Sequence, residues 1–160
     1  MIPIWDDQVK WWYKPIFTWL ILIINVLVFL YQVTLSEAGL DGFINQFALI
    51  PAHISQGQNL YTILTSMFMH GGRMHLIGNM IFLKIFGDNV EARIGNFKFL
   101  LFYLLAGFGA DFLQIIMWPS LTIPNLGASG SISVVLGAYL LIFPQARIKM
   151  LNISWGQIFF

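Results

Sequence analysis

Cysteine is absent from the 160 residues of the chain, and charged side chains make up only 9% of them. The lack of cysteine excludes disulfides, thiolate metal sites and a cysteine nucleophile. The eight lysines and arginines form no basic stripe along any segment, which argues against nucleic-acid binding. Any nucleophilic or acid–base chemistry must therefore come from serine, threonine, histidine and the few carboxylates.

Apolar residues dominate the composition and make up 58% of the chain. This share is typical of membrane proteins and excludes an ordinary soluble domain. Residues 1–14 lack the short apolar core and the cleavage site of a signal peptide, and two lysines lie there among Trp11, Trp12 and Tyr13. This mixture predicts a cytoplasmic N-terminal segment at the membrane interface, followed by a membrane domain over residues 15–160.

Four apolar segments predict membrane-spanning helices. The second requires Lys84 to reach the headgroups and the helix to continue past Gly87, and two prolines separate the third from the fourth. Residues 37–61 mix polar and apolar types and predict a surface loop that lies partly in the interface. A fifth apolar run from Met150 is only about half a crossing long, so the chain is expected to end inside a transmembrane helix. The predicted spans are residues 17–33, 74–86, 97–118 and 127–143.

The distribution of lysine and arginine predicts the orientation of these spans. Alternating the spans across the membrane leaves a single cation, Arg73, on one side, and the excess of cations marks the cytoplasmic side. The N-terminus is therefore predicted to be cytoplasmic, with His75 and Ser129 near the outer face. We expect the protein to be multi-pass, in the plasma (inner) membrane of a prokaryote. The cations on the cytoplasmic side are Lys10, Lys14, Lys84, Arg93, Lys98, Arg147 and Lys149.

A serine flanked by glycines begins the fourth predicted span. Ser129 lies between Gly127 and Gly130 where a loop becomes a helix. Backbone N–H groups at a helix N-terminus can stabilise a developing oxyanion, and small neighbours let a substrate backbone approach. The alternative is that these small residues form only a helix-packing face, as we also expect for the AGFGA tract of the third span.

Histidines and an asparagine cluster at the start of the second predicted span. His75 and Asn79 are four residues apart, so they project from one helical face. Polar side chains inside a membrane indicate function, although an interhelical hydrogen-bond clamp would use the same pair. His70 precedes two glycines and is interpreted as a loop-organising residue, whereas His53 is expected to be solvated.

Two linked segments resemble blocks of the rhomboid family of intramembrane serine proteases. The first, TSMFMHGGRMHLIGNMIFLKIFGDNVEARIG, carries the family's HxxxxHxxxN arrangement and the following GxxxExxxG turn. The second, GASGSISVVLGAYLLIFPQARI, resembles the block that bears the nucleophile. The resemblance implies an all-α polytopic bundle of six helices, of which this chain would contain four and part of a fifth, truncated before the last helix.

By this resemblance Ser129 is the nucleophile, and His75 and Asn79 help the Ser129 N–H stabilise the oxyanion. Gly127 and Gly130 would allow the substrate backbone to approach. The implied reaction is hydrolysis of a peptide bond in or near the membrane helix of a protein substrate, through a serine acyl-enzyme and without cofactor or metal. Membrane lipid and transmembrane proteins would be its partners.

The chain departs from the family pattern in two places. Rhomboids often carry a Trp-Arg pair before the first histidine block, where this chain reads Tyr61-Thr62. The family's general base is a histidine on the sixth helix, which this chain lacks, and His75 is a poor substitute because it would leave the oxyanion site. We therefore expect little activity from residues 1–160 alone. The resemblance also gives Glu91 and Arg93 a role in stabilising the turn after the second helix.

Two other functions remain open at this point. The missing base is compatible with a non-catalytic rhomboid-like protein that binds transmembrane clients. A transporter or channel could use a polar path through His75, Asn79 and Asp111. A carboxylate such as Asp111 within the third span is costly unless it is paired or hydrated, and we expect it to bind water or to form a helix–helix hydrogen bond.

Overall fold

The computed structural model describes residues 2–6, 13–146 and 148–151. Most of this part of the chain is helical, and short loops join the helices. The elements are β1 (Ile2–Asp6), α1 (Ile16–Gln32), α2 (Glu37–Phe47), α3 (Pro51–Ser55), α4 (Thr62–Thr65) with a 3-10 turn (Ser66–Phe68), α5 (Arg73–Phe82), a π-helical turn (Leu83–Gly87), α6 (Asp88–Ile94), α7 (Asn96–Met117), α8 (Ser129–Ile142) and β2 (Ile148–Leu151).

The helical bundle confirms the predicted all-α class, with one addition. The strands β1 and β2 pair in antiparallel register, with Ile2 opposite Leu151. Met150, where the fifth apolar helix is predicted to begin, therefore lies in a strand. The rest of that predicted helix, residues 152–160, lies outside the described residues.

Each of the four predicted spans coincides with a helix. Of the helices in the described residues, α7 is 22 residues long and is apolar enough to cross a membrane by length and composition. The apolar helices α1 and α8 are shorter. The helix of the second span continues past Gly87, as its prediction requires, because the π-helical turn joins α5 to α6 without a break.

Lys84, the cation within the second span, lies in this π-helical turn and has a polar partner within the bundle. Its Nζ atom lies 2.9 Å from Oδ2 of Asp88, one turn later, and 5.3 Å from the centre of the Trp19 ring on α1. The ion pair lowers the cost of placing a cation there, and the aromatic face adds a favourable cation–π contact.

The hydrophobic core lies where α7 and α8 pack against the π-helical turn and α6. Tyr103 on α7 and Tyr139 on α8 are fully buried, and Phe86 stacks edge-on against Tyr139 with ring centres 4.9 Å apart. Glycine brings α7 close to its neighbours, because a Cβ atom on Gly107 would meet Met67 and would lie 2.6 Å from Oγ of Ser131. Gly107 of the AGFGA tract thus lies in a close-packed contact, as predicted, whereas a Cβ atom on Gly109 would meet nothing within 4 Å.

Burial in the bundle follows the pattern of a membrane protein. Polar residues such as Thr18, Asn25 and Ser131 are buried, whereas Phe112 and Leu141 on α7 and α8 are exposed, the latter by 85%. A water-soluble bundle of this size would reverse this distribution. The outer faces of these helices are suited to contact with lipid.

Glu91 joins the start of α1 to the end of the second helical unit. Its carboxylate is fully buried and accepts hydrogen bonds from the backbone N–H groups of Phe17 at 2.8 Å and Thr18 at 2.7 Å. These groups belong to the first turn of α1, which has no acceptor for them within the helix. The carboxylate of Glu91 therefore caps the start of another helix.

Backbone hydrogen bonds hold the loop before α8 against the segment between α1 and α5. Leu49 and Asn125 exchange backbone hydrogen bonds of 3.0 and 2.7 Å, and the N–H of Gly127 donates to the carbonyl of Ser66 at 2.9 Å. Much of residues 37–61, predicted as a surface loop, is helical in α2 and α3. These contacts fix the point at which the chain enters α8.

Candidate active site

Ser129 is the first residue of α8 and its side chain is exposed. The first intrahelical bond at this end runs from the N–H of Ile132 to the carbonyl of Ala128. The N–H groups of Ser129, Gly130 and Ser131 therefore have no acceptor within the helix. This end of α8 is consequently a site where a negatively charged oxygen would be stabilised by backbone donors and by the helix dipole.

His75 and Asn79 lie across a cavity from Ser129. All three side chains line a space of about 320 Å³ between α5 and α8, which Ser133 also lines one turn further along α8. The helical spacing of four residues turns the imidazole and the carboxamide to the same side of α5. The structure thus brings together three residues that the sequence places in two blocks about fifty positions apart.

Gly127 connects the two sides of this cavity. A Cβ atom at this position would lie 2.8 Å from Cε1 and 3.0 Å from Nε2 of His75, and 3.8 Å from Nδ2 of Asn79. Its φ of 131° is one that side-chain-bearing residues rarely adopt. Glycine at 127 therefore lets the loop backbone reach the imidazole, two residues before Ser129.

Gly130 has a different contact from Gly127. A Cβ atom on Gly130 would lie 2.7 Å from Cβ of Ala110 on α7. This glycine therefore allows α8 to pack closely against α7. Its predicted part in the approach of a substrate backbone stays a prediction.

His70 is linked to Asn79 within the site. Its Nε2 atom lies 3.0 Å from Nδ2 of Asn79, and its ring stacks edge-on against His75 with ring centres 5.1 Å apart. Burial, and secondarily the neighbouring His75, lower the pKa of His70 to about 4. His70 is therefore neutral at physiological pH. His53, which we expected to be solvated, is half-buried in α3, away from this cluster.

Gln32 is a buried residue of this region that sequence reasoning missed. Its side-chain Nε2 donates to the carbonyl of His70 at 3.1 Å, and its Oε1 accepts from the N–H of His70 at the same distance. Gln32 ends α1, thirty-eight positions before His70. A polar residue at the end of an apolar span is the signal that could have singled it out.

Asp111 lies in a second, smaller cavity on the other side of Ser129. The cavity is about 150 Å³ in volume, and Gln114 and Asn125 also line it. Asn125 donates from Nδ2 to Oδ1 of Asp111 at 3.3 Å, so this partner of Asp111 lies on a loop, whereas we expected water or a helix–helix hydrogen bond. The buried Oδ2 has no protein partner within the described residues, and a polar cavity of this size can hold water.

The positions that depart from the family pattern have polar partners of their own. The hydroxyl of Tyr61 donates to the carbonyl of Gln46 at 2.9 Å, and that of Thr62 donates to the carbonyl of Asn59 at 2.8 Å. Both contacts are local to the segment between α1 and α5. Tyr61 and Thr62 therefore contribute to the order of this segment in place of a Trp-Arg pair.

The chemistry that this arrangement permits is nucleophilic attack by a hydroxyl beside donors for the resulting oxyanion. Within the described residues, no side chain forms a hydrogen bond with Oγ of Ser129. No group of three or more His, Cys, Asp or Glu side chains suited to a metal ion occurs there either. The site therefore contains a candidate nucleophile and candidate oxyanion donors, without a base in contact with the hydroxyl.

Comparisons with known proteins agree with these features. The family profile described as Rhomboid domain matches residues 57–160. The chain is 33% identical over 128 residues to "Rhomboid protease GluP" of Bacillus subtilis (strain 168), covering 79% of this chain and 24% of that protein. It is 34% identical over 87 residues to "RHOMBOID-like protein 6, mitochondrial" of Arabidopsis thaliana, covering 54% of this chain and 28% of that protein.

A third similar protein differs in what its name says of activity. The chain is 31% identical over 93 residues to "Inactive rhomboid protein 1" of Drosophila melanogaster, covering 58% of this chain and 6% of that protein. The chain thus spans about a quarter of the length of the first two relatives and much less of the third. Similarity extends both to a protease and to a protein described as inactive.

Proposed function

The chain belongs to the rhomboid family, and from this premise we propose that it is the Ser129-bearing part of an intramembrane serine endopeptidase. Its substrates would be membrane proteins, cleaved in or near a transmembrane helix. The observation that carries the proposal is the cavity that Ser129, His75 and Asn79 line together. A packing face of small residues would have no need of an imidazole and a carboxamide opposite the serine.

In the proposed reaction, Oγ of Ser129 attacks the carbonyl carbon of the scissile peptide bond while its proton passes to a general base. The carbonyl oxygen becomes an oxyanion, which the free N–H groups at the start of α8 stabilise together with Asn79 and His75. Collapse of this intermediate breaks the C–N bond, and the departing amine takes the proton. Water then hydrolyses the acyl-enzyme, which releases the carboxylic acid and regenerates the hydroxyl.

We propose that the general base is a residue other than the histidines of this sequence. The sequence contains three histidines. His53 lies in α3 and the ring of His70 contacts Asn79, and we assign His75 to the oxyanion site as the resemblance implies. Without a base a serine hydroxyl is a weak nucleophile at neutral pH. We therefore keep the expectation that residues 1–160 alone hydrolyse peptide bonds slowly or not at all.

Water for the second half of the reaction would come from the polar cavity around Asp111. Ser129 lines this cavity as well as the one that contains His75. The unpartnered Oδ2 of Asp111 and the amide of Gln114 are groups that ordered water can bind. A substrate helix in the first cavity would thus leave a separate polar space beside the nucleophile.

The membrane orientation is also a proposal, with the N-terminus in the cytoplasm of a prokaryotic cell. Hydrogen bonds from the N–H of Tyr13 to the carbonyl of Ala92, and from the side chain of Asn96 to the carbonyl of Lys14, hold the start of α1 beside the end of α6. Lys14 and Arg93 therefore lie at one end of the bundle, and Arg73 begins the helical unit at the other. This separation supports the charge argument.

Labelling with a fluorophosphonate tests the proposed activity. The protein expressed from its complete gene, and residues 1–160 alone, are each reconstituted in membranes with Ser129→Ala and Ser133→Ala variants. Ser133 lines the same cavity one turn away and is the matched control. We expect labelling of the complete protein that is lost in Ser129→Ala and kept in Ser133→Ala, and little labelling of residues 1–160.

The outcome of this experiment separates the candidate functions. Similarity to a rhomboid described as inactive favours one specific alternative, a protein that binds transmembrane clients without cleaving them. If the complete protein takes up no label at Ser129, the endopeptidase proposal fails and this alternative takes its place. Labelling that persists in Ser129→Ala would assign the reactive group to another residue.

A further inference from the structure

A continuous chain of hydrogen bonds runs from the end of α1 to Asn79. Gln32 is 3% exposed, and its side-chain amide pairs with both the N–H and the carbonyl of His70 at 3.1 Å. The side-chain amide of Gln32 thus forms hydrogen bonds with both the backbone donor and the backbone acceptor of His70. Because both ends of the carboxamide are engaged, its orientation is fixed, and so is the position of the His70 backbone.

The ring of His70 contacts Asn79 and so fixes the position of its carboxamide. An amide NH₂ group only donates hydrogen bonds, so the contact of 3.0 Å between Nδ2 of Asn79 and Nε2 of His70 requires the ring nitrogen to accept. The ring must then be neutral, with its hydrogen on Nδ1. The lowered pKa of His70, caused mainly by burial, agrees with this state.

The direction of the Asn79 carboxamide has a chemical consequence. Its Nδ2 faces His70 and also lies 3.8 Å from the Cβ position of Gly127, so one N–H bonds the imidazole and the second remains for a group near Ser129. If the carboxamide turned over, Oδ1 would take that place. A carbonyl oxygen there would repel an oxyanion instead of stabilising it.

We propose that Gln32 and His70 are positioning residues that hold the Asn79 carboxamide with its N–H towards the oxyanion formed at Ser129. This inference rests on the proposed function. Neither residue touches the reacting atoms, so both act through Asn79. The edge-on contact of His70 with His75 gives the same support to the second side chain of the cavity.

A double-mutant cycle on the complete protein tests the inference. Two quantities are measured for His70→Leu, Asn79→Ala and the double variant. They are the rate constant of phosphonylation at saturating fluorophosphonate and the fluorophosphonate concentration that gives half of this rate. Removing an oxyanion donor typically slows the chemical step about 100- to 1000-fold. We expect His70→Leu to lower the rate constant by about 10-fold or more at an unchanged half-saturation concentration, and to add almost nothing in the Asn79→Ala background.

Conservative and control variants separate positioning from general loss of structure. His70→Gln keeps an acceptor near the place of Nε2 and should recover most of the rate constant. Gln32→Met, which keeps the size but loses both hydrogen bonds, should lower it in the same way as His70→Leu. Gln46→Met is the matched control, because the Gln46 side chain is exposed on α2, and should leave the rate constant unchanged.

Each remaining outcome decides a different point. Effects of His70→Leu and Asn79→Ala that multiply in the double variant would overturn the inference while leaving the endopeptidase intact. A half-saturation concentration that rises with an unchanged rate constant would do the same, because it would assign the residues to binding. A wild-type protein without Ser129-dependent labelling overturns the proposed function, and the inference with it.

Discussion

Replacing Gly127 with alanine tests the geometry of the site most directly. The added methyl group would lie 2.8 Å from Cε1 and 3.0 Å from Nε2 of His75, whereas ordinary contacts to a Cβ atom begin at 3.4 Å. The imidazole must therefore retreat by about 0.6 Å or rotate away. The backbone adds strain of about 1 to 3 kcal/mol, because a φ of 131° is unfavourable for alanine.

The expected result is a large loss of reactivity together with a loss of stability of about 1 to 3 kcal/mol. A displacement of about 1 Å at a catalytic group can cost roughly 100-fold in rate, so we expect Gly127→Ala to slow the labelling of Ser129 by about 10- to 100-fold. The assay is the second-order rate constant of fluorophosphonate labelling, measured beside the unfolding transition in detergent micelles.

Gly137→Ala is the matched control for this substitution. Gly137 lies on α8, two turns beyond Ser129, and a Cβ atom there would meet nothing within 4 Å. Alanine in a helix interior should raise stability by about 0.5 to 1 kcal/mol and leave labelling unchanged. Labelling of Gly127→Ala at the wild-type rate would refute the placement of His75 beside the loop. A loss of labelling equal in both variants would show that the effect does not come from the imidazole.

Three other substitutions or conditions give specific expectations. Glu91→Gln should lower the free energy of unfolding by about 1 to 3 kcal/mol, because an amide cannot accept from both N–H groups of α1; exposed Glu37→Gln should change it by less than about 0.5 kcal/mol. Asp111→Leu should slow hydrolysis of the acyl-enzyme more than its formation. The measurement is the initial burst of released amine product, which should become larger. An equal slowing of both steps would contradict the role of the Asp111 cavity in water supply. Stability should fall as the pH falls from about 6.5 to about 4, because unfolded histidine takes up a proton in that range while folded His70 does not. The same titration of His70→Gln should lack this part of the pH dependence.

The residues that form the candidate site were largely predictable because they lie in local patterns. The spacing of His75 and Asn79 specifies one helical face, and a serine between glycines specifies a helix start. The apolar runs likewise predict the four long helices to within a few residues. These features depend on neighbours in sequence, which periodicity and spacing describe well.

The contacts that orient the site were not predictable, because they join distant segments. Gln32 belongs to no sequence pattern that indicates a function, and its hydrogen-bond partner follows thirty-eight positions later. The partner of Asp111 lies in the loop before α8, directly after Pro124. The partners of Glu91 are backbone groups that sequence does not distinguish from any others. The strand at Met150 was missed because an apolar run of a few residues is compatible with either helix or strand.

The contacts that hold the loop before α8 have a consequence for how this protein can vary. Leu49, Ser66, Asn125 and Gly127 hold that loop through main-chain groups, so these particular bonds place almost no demand on side-chain identity. The side chains at positions 49 and 66 are buried, so packing and not these bonds limits what can stand there. Proline is the exception at 49, 125 and 127, since it would remove the donated N–H.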